Sequence, residues 1–369
     1  MFEKITALLP DIEAAAGDIE ARRQLPHALV AGLKKAGAFR LLIPQTYGGL
    51  EAPFADYLKL VQDMAQADAS TAWCVNQAAV IATTSLWLPE PQIQTIWKDE
   101  DTSVANGPPF SGEIKPSGEG FELSGHWGFS SGCQHATWMM GAARYSEGGW
   151  RIAYLKPDQV QFIDNWQTAG LRGTGSFEFT CDQLQLPACQ VADAGQPATY
   201  DNILTQIPSA LLFGCSFAAV ALGVAQGALV DVLDIAQGKL PRYASLHLRD
   251  DPDVQRFIGK AQARWRSAQA YLTLTVADVF AEVQAEAQIT HANRAALRMC
   301  STYVIRECAE VLDLAYKVAG STGIYQDHTL QRRFQDMHVI TQHVQAREAY
   351  FALLGRYAIS GEYETGPMT

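Results

Sequence analysis

A block of short alternating runs lies between two long helical regions, and this change of period constrains the fold more than any other feature of the sequence. From about Ser103 to Pro187, apolar and polar residues alternate in short runs separated by Gly and Pro turns, which is typical of β-strands. The alternation predicts strands at residues 120–124, 137–143, 151–156 and 176–179. We therefore expect a β-domain in the middle of the chain.

On both sides of this block, apolar residues recur at three- and four-residue spacing, the pattern of amphipathic α-helices. Beyond the block, helices long enough for a bundle are predicted at residues 205–237, 251–284, 288–318 and 329–359. The expected fold class is mainly α with a central β-domain. The predicted domains are an N-terminal helical domain at 1–102, a barrel-like middle β-domain at 103–195 and a C-terminal four-helix bundle at 196–369.

The composition favours a globular protein of the cytoplasm. A formal net charge of −11 and a pI near 5.2 argue against nucleic acid and anionic membranes as partners. Seven cysteines without a Cys-x-x-Cys pair predict reduced thiols, and the N-terminus has no recognisable signal peptide. The apolar run Ile207–Ala225 is interrupted by Pro208 and two glycines, which predicts a buried helix and not a membrane span.

Two other kinds of site are excluded by spacing. The eight histidines form no helical His-x-x-x-His pair with a carboxylate partner, so no metal site is predicted. The Gly-rich run Gly170–Ser176 is followed by strand-like residues, whereas a dinucleotide-binding loop must lead into a helix. We therefore expect neither a metal nor a nicotinamide site.

The stretch Gly125–Trp138 combines aromatic residues, three glycines and two adjacent serines, and its pattern predicts a strand, a tight corner and a second strand. The glycines would let the backbone approach a flat ligand, and Trp127 and Phe129 could lie against its rings. Ser130 and Ser131 could hydrogen-bond a ring heteroatom. An ordinary β-hairpin with a Ser–Gly corner explains the same residues.

This stretch resembles the flavin-facing strand of the acyl-CoA dehydrogenase superfamily, and more closely that of its group D flavin-dependent monooxygenases. The residues that carry the resemblance are Phe129-Ser130-Ser131-Gly132, followed by His135-Ala136-Thr137-Trp138. The turn Pro44–Leu50 and the run Asp68–Trp73 are also similar to the superfamily. Together with the order of helices, β-domain and bundle, the resemblance covers nearly the whole chain.

A dehydrogenase of this superfamily needs a carboxylate base near the flavin. There is no Asp or Glu between Asp201 and Asp231, and none at the matching position near the last helix. In its place, Arg332, Asp336, His338 and His343 resemble the oxygenase branch. The resemblance implies that His343 faces C4a of the flavin, where it hydrogen-bonds a peroxide oxygen or takes a proton from a phenol; a structural histidine is the alternative.

The resemblance implies further contacts with the flavin. Ser131 matches the serine that hydrogen-bonds N5, with Ser130 as the alternative, and Trp127 and Phe129 would pack on the isoalloxazine. Arg242 would reach the phosphate or adenine side, with a solvent-exposed helix cap as the alternative. The loop Gly320-Ser321-Thr322 would contact the flavin tail, although it could simply end a helix.

Two residues are candidates for substrate binding. Arg172 lies in the segment Gly170–Ser176, and the similar segment of the superfamily lies near the substrate and the flavin. Phenol-hydroxylating members carry a histidine in the N-terminal domain, but the matching residues 79–84 contain none. The substrate could therefore be a more apolar ring such as an indole, with Gln77 or Asn76 as a polar contact.

As a whole, the resemblance implies the oxygenase component of a two-component monooxygenase. It would take reduced FAD or FMN from a separate NAD(P)H-dependent reductase, form a C4a-hydroperoxide with O₂, and hydroxylate an aromatic or heteroaromatic molecule. A homo-oligomer, tetramer or dimer, is expected. The alternatives are an acyl-CoA dehydrogenase with a displaced base and a flavin-binding scaffold without catalysis.

Overall fold

The computed structural model describes residues 2–366, which form two compact units. The β unit comprises residues up to 57, 73–167 and 172–209, and the bundle unit comprises 58–72, 168–171 and those from 210 onward. The mainly α fold class with a central sheet is confirmed. The domain limits at 102 and 195 stay a prediction.

Within residues 2–366, six helices precede the sheet, as the apolar spacing predicts. They are α1 (Glu3–Thr6), α2 (Leu9–Arg22), α3 (His27–Lys35), α4 (Phe54–Ala67), α5 (Ala69–Ala82) and α6 (Glu90–Trp97). The predicted turn at Pro44–Leu50 contains a 3₁₀ turn, Gln45–Tyr47, which Gly48 ends in the left-handed region at φ 75°. A Cβ on Gly49 would lie 1.9 Å from the carbonyl oxygen of Ile43, so only glycine fits there.

A single mixed sheet forms the middle of the chain. Its strands are β1 (Val104–Gly107), β2 (Pro109–Ser117), β3 (Gly120–Ser130), β4 (Trp138–Tyr145), β5 (Trp150–Leu155), β6 (Gln161–Ile163), β7 (Phe177–Pro187) and β8 (Val191–Ala192). The order is β6-β7-β3-β2-β4-β5-β8, and β1 pairs with β4 in parallel. The four predicted strands are confirmed within β3, β4, β5 and β7, and the structure adds the other four.

Trp127 lies in the core of this sheet, which corrects its predicted role as a flavin contact. Its indole is fully buried, stacks on Phe179 with ring centroids 4.9 Å apart, and donates from Nε1 to the carbonyl oxygen of Ala142 at 2.8 Å. A Cβ on Gly125 would lie 2.4 Å from this indole. Gly125 therefore makes room for the Trp127 indole, whose ring has no exposed surface.

In the part of the chain that the structure describes, six helices follow the sheet. They are α7 (Ile203–Gln206), α8 (Ser209–Gly238), α9 (Pro252–Glu286), α10 (His291–Ala319), α11 (Thr329–Ile340) and α12 (Ala349–Ser360). Helix α8 has the length and hydropathy of a membrane span, but 83% of its most apolar window is buried inside the structure. The prediction of a buried core helix at this apolar run is confirmed.

The predicted last helix, 329–359, is wrong because the chain breaks it between α11 and α12. His343 has an extended backbone with ψ 147°, and a 3₁₀ turn follows at Val344–Ala346. The Arg306 guanidinium donates to the carbonyl oxygen of Ala346 at 2.6 and 2.8 Å. A side chain from α10 thus satisfies an oxygen that helical bonding would otherwise satisfy.

Candidate functional site

Strand β3 ends in an irregular segment that exposes an aromatic ring. The pairing of β3 with β7 shifts register between Trp127 and Ser130, and Phe129 between them has φ 57°, an unusual value for a bulky residue. The Phe129 ring is 53% exposed and meets Phe110 and Trp166 edge to face, with centroids 6.0 and 6.2 Å away. These three rings form an open aromatic surface on the β unit.

An arginine from α2 holds the loop that carries Trp166. Arg23 makes a two-pronged ion pair with Asp164, with both N–O distances 2.8 Å, and donates to the carbonyl oxygen of Trp166 at 3.0 Å. Arg23 itself ends α2 in the left-handed conformation at φ 57°. Two-pronged geometry restricts the guanidinium, so this loop is fixed relative to α2.

A chain of buried hydroxyl groups begins at the residue after β3. Ser131 Oγ lies 2.7 Å from Ser176 Oγ, which lies 2.7 Å from Thr174 Oγ1. The indole Nε1 of Trp73, on α5, donates to Ser131 Oγ at 3.1 Å. All four side chains are buried. The network places an oriented hydroxyl two residues beyond the exposed Phe129.

The two adjacent serines occupy different environments. Ser130 is fully buried, and its Oγ has no hydrogen-bond partner among residues 2–366. It lies against β1, where a Cβ on Gly107 would come within 2.7 Å of it. Ser131, by contrast, is part of the hydroxyl chain. The Ser131 hydroxyl is thus oriented by protein partners, whereas the Ser130 hydroxyl has none among residues 2–366, and the choice between them as the flavin contact stays a prediction.

The two predicted substrate residues of the β unit differ as well. Arg172 forms an ion pair with Glu20 of α2 at 3.2 Å, which accounts for its charge without a substrate. Gln77 lies one helical turn after Trp73 on α5 and is only 8% exposed. Its side chain makes no hydrogen bond to any residue in the described part of the chain, so its amide is available to a ligand.

In the bundle unit, His343 lies in the break between α11 and α12. Its Nδ1 accepts a hydrogen bond from the backbone N–H of Gln345 at 3.3 Å, and its ring packs against Phe217 with centroids 4.5 Å apart. Burial, and then the charge of Arg298, lower the pKa of His343 to about 4. The ring is therefore neutral at pH 7, and its proton sits on Nε2.

Arg298, which the sequence reasoning did not select, organises this break. It is fully buried on α10, donates to the Oε1 of Gln345, and donates to the carbonyl oxygen of Ala210 at 3.2 Å. Its guanidinium also lies over the Tyr350 ring, 4.7 Å from the centroid. Nothing in the local sequence pattern distinguishes Arg298 as a buried residue, since an arginine on a predicted helix ordinarily faces solvent.

The other residues of the predicted oxygenase pattern have structural partners. Asp336 accepts a hydrogen bond from the backbone N–H of Leu171 at 2.6 Å, and Leu171 has φ 49°. His338 lies 3.2 Å from Asp313 at the surface. Asp336 therefore holds the turn that precedes Arg172, and of this pattern His343 is the residue whose surroundings suit chemistry.

The predicted flavin-tail residues lie at the ends of α8 and α10. Arg242 is exposed, lies over the Tyr243 ring at 5.4 Å, and has no carboxylate partner within residues 2–366. Gly320 has φ 54°, and Thr322 Oγ1 accepts a hydrogen bond from Lys239 Nζ at 2.7 Å. The contact of Lys239 with this loop was not predicted from the sequence. The one available signal was the position of Lys239 just beyond the last turn of a long helix, where basic side chains often bind carbonyl groups.

The family comparison matches both helical parts of the chain. The model described as "Acyl-CoA dehydrogenase, N-terminal domain" matches residues 9–88, and the one described as "Acyl-CoA dehydrogenase, C-terminal domain" matches residues 215–348. The described residues contain no group of three His, Cys, Asp or Glu side chains that could hold a metal ion, and the absence of a metal site stays a prediction.

Similar proteins include flavin-dependent oxygenases. An indole-3-acetate monooxygenase of Pseudomonas putida is 28% identical over 341 residues, which is 89% of this chain and 86% of that protein. The oxygenase component of p-hydroxyphenylacetate 3-hydroxylase from Acinetobacter baumannii is 25% identical over 357 residues, 93% of this chain and 85% of that protein.

Solved structures with the same fold extend over the whole chain. The 3-HSA hydroxylase from Rhodococcus sp. RHA1 superposes with a TM-score of 0.91 at 24% identity and covers 100% of this chain and 98% of that one. XiaF from Streptomyces sp., solved with FADH2 and glycerol, superposes with a TM-score of 0.89 at 18% identity, covering 100% and 96%. At these identities the likeness establishes the fold.

Proposed function

This chain belongs to the acyl-CoA dehydrogenase superfamily, and we propose that it is the oxygenase component of a two-component flavin-dependent monooxygenase. It takes reduced FAD or FMN from a separate NAD(P)H-dependent flavin reductase and uses O₂ to hydroxylate an aromatic or heteroaromatic small molecule. The relatives named above are an indole-3-acetate monooxygenase and the oxygenase component of a p-hydroxyphenylacetate 3-hydroxylase.

The observation that carries the proposal is the lack, among residues 2–366, of a free carboxylate at the two places where a dehydrogenase of this superfamily holds its base. Asp231, the first acidic residue of α8, is paired with Arg333 at 3.0 Å, and Asp336 is held by the N–H of Leu171. A dehydrogenase must remove a proton with a free carboxylate, whereas an oxygenase does not. His343, neutral at pH 7, stands in the corresponding segment. This favours oxygenation over the two alternatives.

The β unit offers the groups that a flavin ring requires. Phe129 presents an exposed ring, and Ser131 has room for one further hydrogen bond beyond those to Trp73 and Ser176. When bound, reduced flavin supplies the electrons that activate O₂. We assign Phe129 to the ring face and Ser131 to N5. Arg242 and the loop Gly320–Thr322 are assigned to the phosphate and tail.

His343 acts as a hydrogen-bond donor in this proposal. Because Nδ1 is engaged by the Gln345 N–H, the neutral ring can donate only from Nε2. Its low pKa also makes it a poor proton acceptor at neutral pH. Of the two roles considered above, donation to a substrate or oxygen atom therefore fits better than removal of a phenolic proton.

Gln77 is the proposed polar contact of the substrate. The Gln77 amide has no hydrogen-bond partner among residues 2–366, and it can either accept from an indole N–H or donate to a phenol oxygen. Both ring types are represented by the relatives. We further propose a homo-oligomer in the cytoplasm, in line with the acidic, cysteine-containing composition.

The test supplies reduced FAD or FMN from a flavin reductase and a panel of indoles and phenols, and measures hydroxylated product and H₂O₂ together. We expect at least one ring class to convert consumed O₂ into product, with Ser131→Ala diverting it to H₂O₂. Ser130→Ala is the comparison variant, because Ser130 is the alternative contact of N5 and its hydroxyl has no partner among residues 2–366; diversion to H₂O₂ in Ser130→Ala alone would assign N5 to Ser130. Reduction of bound oxidised flavin by an acyl-CoA thioester would contradict the proposal.

A further inference from the structure

We propose that Thr174, Ser176 and Ser131 form a reversible hydroxyl chain that adapts Ser131 to both oxidation states of the flavin, with Ser176 as the positioning residue. The inference rests on the proposed function, because it requires Ser131 to meet flavin N5. It goes beyond it by assigning a role to Ser176 and Thr174 and by predicting a selectivity between reduced and oxidised flavin.

The bonding capacity of the Ser131 hydroxyl limits how many partners it can have. A serine hydroxyl has one hydrogen to donate and two lone pairs to accept with. Trp73 Nε1 can only donate, so it occupies one lone pair of Ser131 Oγ at 3.1 Å. One lone pair and the hydrogen remain. These must be shared between Ser176, 2.7 Å away, and the ligand.

Reduced and oxidised flavin require hydrogen bonds of opposite direction at N5. N5 of oxidised flavin carries a lone pair and accepts, whereas N5 of reduced flavin carries a hydrogen and donates. With reduced flavin, Ser131 must accept from N5–H and pass its own hydrogen to Ser176. With oxidised flavin, Ser131 must donate to N5 and accept from Ser176.

Ser176 can serve both directions because it has a hydroxyl neighbour of its own. When it accepts from Ser131, it donates to Thr174 Oγ1 at 2.7 Å; when it donates to Ser131, it accepts from Thr174. Either atom can be the donor in each of the two bonds. Rotation of hydroxyl hydrogens therefore reverses the chain without moving a heavy atom.

The loop that carries this chain is held independently of the hydroxyls. The backbone N–H of Gly132 donates to the carbonyl oxygen of Thr174 at 2.9 Å, and the thiols of Cys74 and Cys133 lie 3.7 and 3.4 Å from the carbonyl oxygens of Thr174 and Gly175. Removing the Ser176 hydroxyl thus deletes the hydrogen-bond acceptor of the Ser131 hydroxyl, while these backbone contacts stay in place.

Loss of that hydroxyl affects the two ligand states unequally. Without Ser176, reduced flavin leaves the Ser131 hydrogen buried and without an acceptor, whereas oxidised flavin leaves only a lone pair unused. A buried orphan donor is the more costly of the two. Ser176→Ala should therefore weaken binding of reduced flavin roughly 3- to 10-fold more than binding of oxidised flavin. The midpoint potential of the bound flavin should fall by about 15 to 30 mV.

The experiment measures Kd for oxidised and for anaerobically reduced flavin, and the midpoint potential, in wild type, Ser176→Ala, Ser176→Thr and Ser103→Ala. Ser176→Thr keeps the hydroxyl and should restore the wild-type ratio of the two constants. Ser103 is a matched control, because it is buried in the same unit and donates to the carbonyl oxygen of His135 instead. The indole N–H resonance of Trp73 in the flavin-free protein reports whether each variant is folded.

The outcomes separate the inference from the proposed function. A lower flavin midpoint potential in Ser176→Ala, with the potentials of Ser176→Thr and Ser103→Ala near that of wild type, supports the proposed hydroxyl chain. If Ser176→Ala is folded and its Kd ratio and midpoint potential equal those of wild type, the proposed hydroxyl chain is wrong while the oxygenase proposal stands. If Ser176→Ala does not fold, Thr174→Val tests the same chain from its far end and should lower the potential in the same sense. Wild type that binds no reduced flavin would overturn both.

Discussion

The backbone N–H of Gln345 points at Nδ1 of His343 across 3.3 Å, and this contact decides which nitrogen of the ring carries the proton. It arises because the chain breaks between α11 and α12, so that the His343 side chain caps the 3₁₀ turn that follows. A histidine within a continuous helix, as the sequence pattern predicted, would have no such partner. The break thus places the hydrogen of the neutral ring on Nε2, which becomes its donor.

Replacing His343 tests this donor role. His343→Gln keeps a side-chain N–H, whereas His343→Leu removes every hydrogen-bonding atom. We expect His343→Gln to retain part of the product yield per O₂ consumed and His343→Leu to lose about tenfold or more, in line with a missing hydrogen bond to a developing charge. Equal yields in the two variants would show that donation from this position is unimportant.

The lowered pKa of His343 predicts a dependence of stability on pH. Because its folded pKa is about 4 and its ordinary value is 6.5, the unfolded chain binds more protons between these limits. Stability should therefore rise with pH across this window and fall on acidification. The urea midpoint at pH 7 and pH 5 should differ less in His343→Gln than in wild type. An unchanged difference would place the acid sensitivity elsewhere, for example at His135, whose pKa burial lowers to about 3.

Trp127 is expected to govern stability and not flavin contact. Trp127→Ala removes a buried indole that stacks on Phe179 and should cost about 3–5 kcal/mol of unfolding free energy. Trp127→Phe should cost less, because it keeps part of the ring. Urea unfolding checks both variants. A Trp127→Phe protein with wild-type stability and strongly weakened flavin binding would contradict the placement in the core.

Arg306 should contribute to the break that presents His343. Arg306→Met keeps the aliphatic stem but leaves the carbonyl oxygen of Ala346 without its donor, at a cost of about 1–3 kcal/mol. We expect a lower urea midpoint together with faster amide exchange at residues 341–348. Arg356→Met, which removes an exposed ion pair with Glu364, is the control and should change the midpoint little.

Arg242 should bind flavin phosphate through its charge. Arg242→Ala is expected to weaken flavin binding about tenfold at low salt and less at high salt, since exposed charge interactions are screened. Arg249→Ala is a matched control, because Arg249 is exposed nearby but already pairs with Asp250. Equal effects of the two substitutions on Kd would argue against a specific phosphate contact.

The sequence predicted the order of helices and strands because each long element repeats its own period. It also pointed to Ser131 and Phe129, since glycines, hydroxyls and aromatics cluster at the end of β3. It could not separate Phe129 from Trp127. Alternation along β3 gives both the same side, and only the irregular pairing after Trp127 turns Phe129 outward.

The same limit explains the residues that were missed. Ser176 reaches Ser131 across 45 positions of sequence, and Arg298 reaches Gln345 across 47. Neither contact leaves a local periodic signal, because both depend on which elements the fold brings together. The break after Ile340 was missed for a related reason. The carbonyl oxygen of Ala346, in the break, accepts its hydrogen bond from Arg306, which lies on another helix.

The most direct test of the central claim follows the oxygen atom. Protein loaded with reduced flavin is mixed with ¹⁸O₂ and an indole or phenol that it converts, and the product is examined by mass spectrometry. We predict one ¹⁸O atom in the hydroxylated product, with less label and more H₂O₂ in Ser131→Ala. If product carries oxygen from water, or if all ¹⁸O appears in peroxide for every ring tested, the chain is not an oxygenase of this kind.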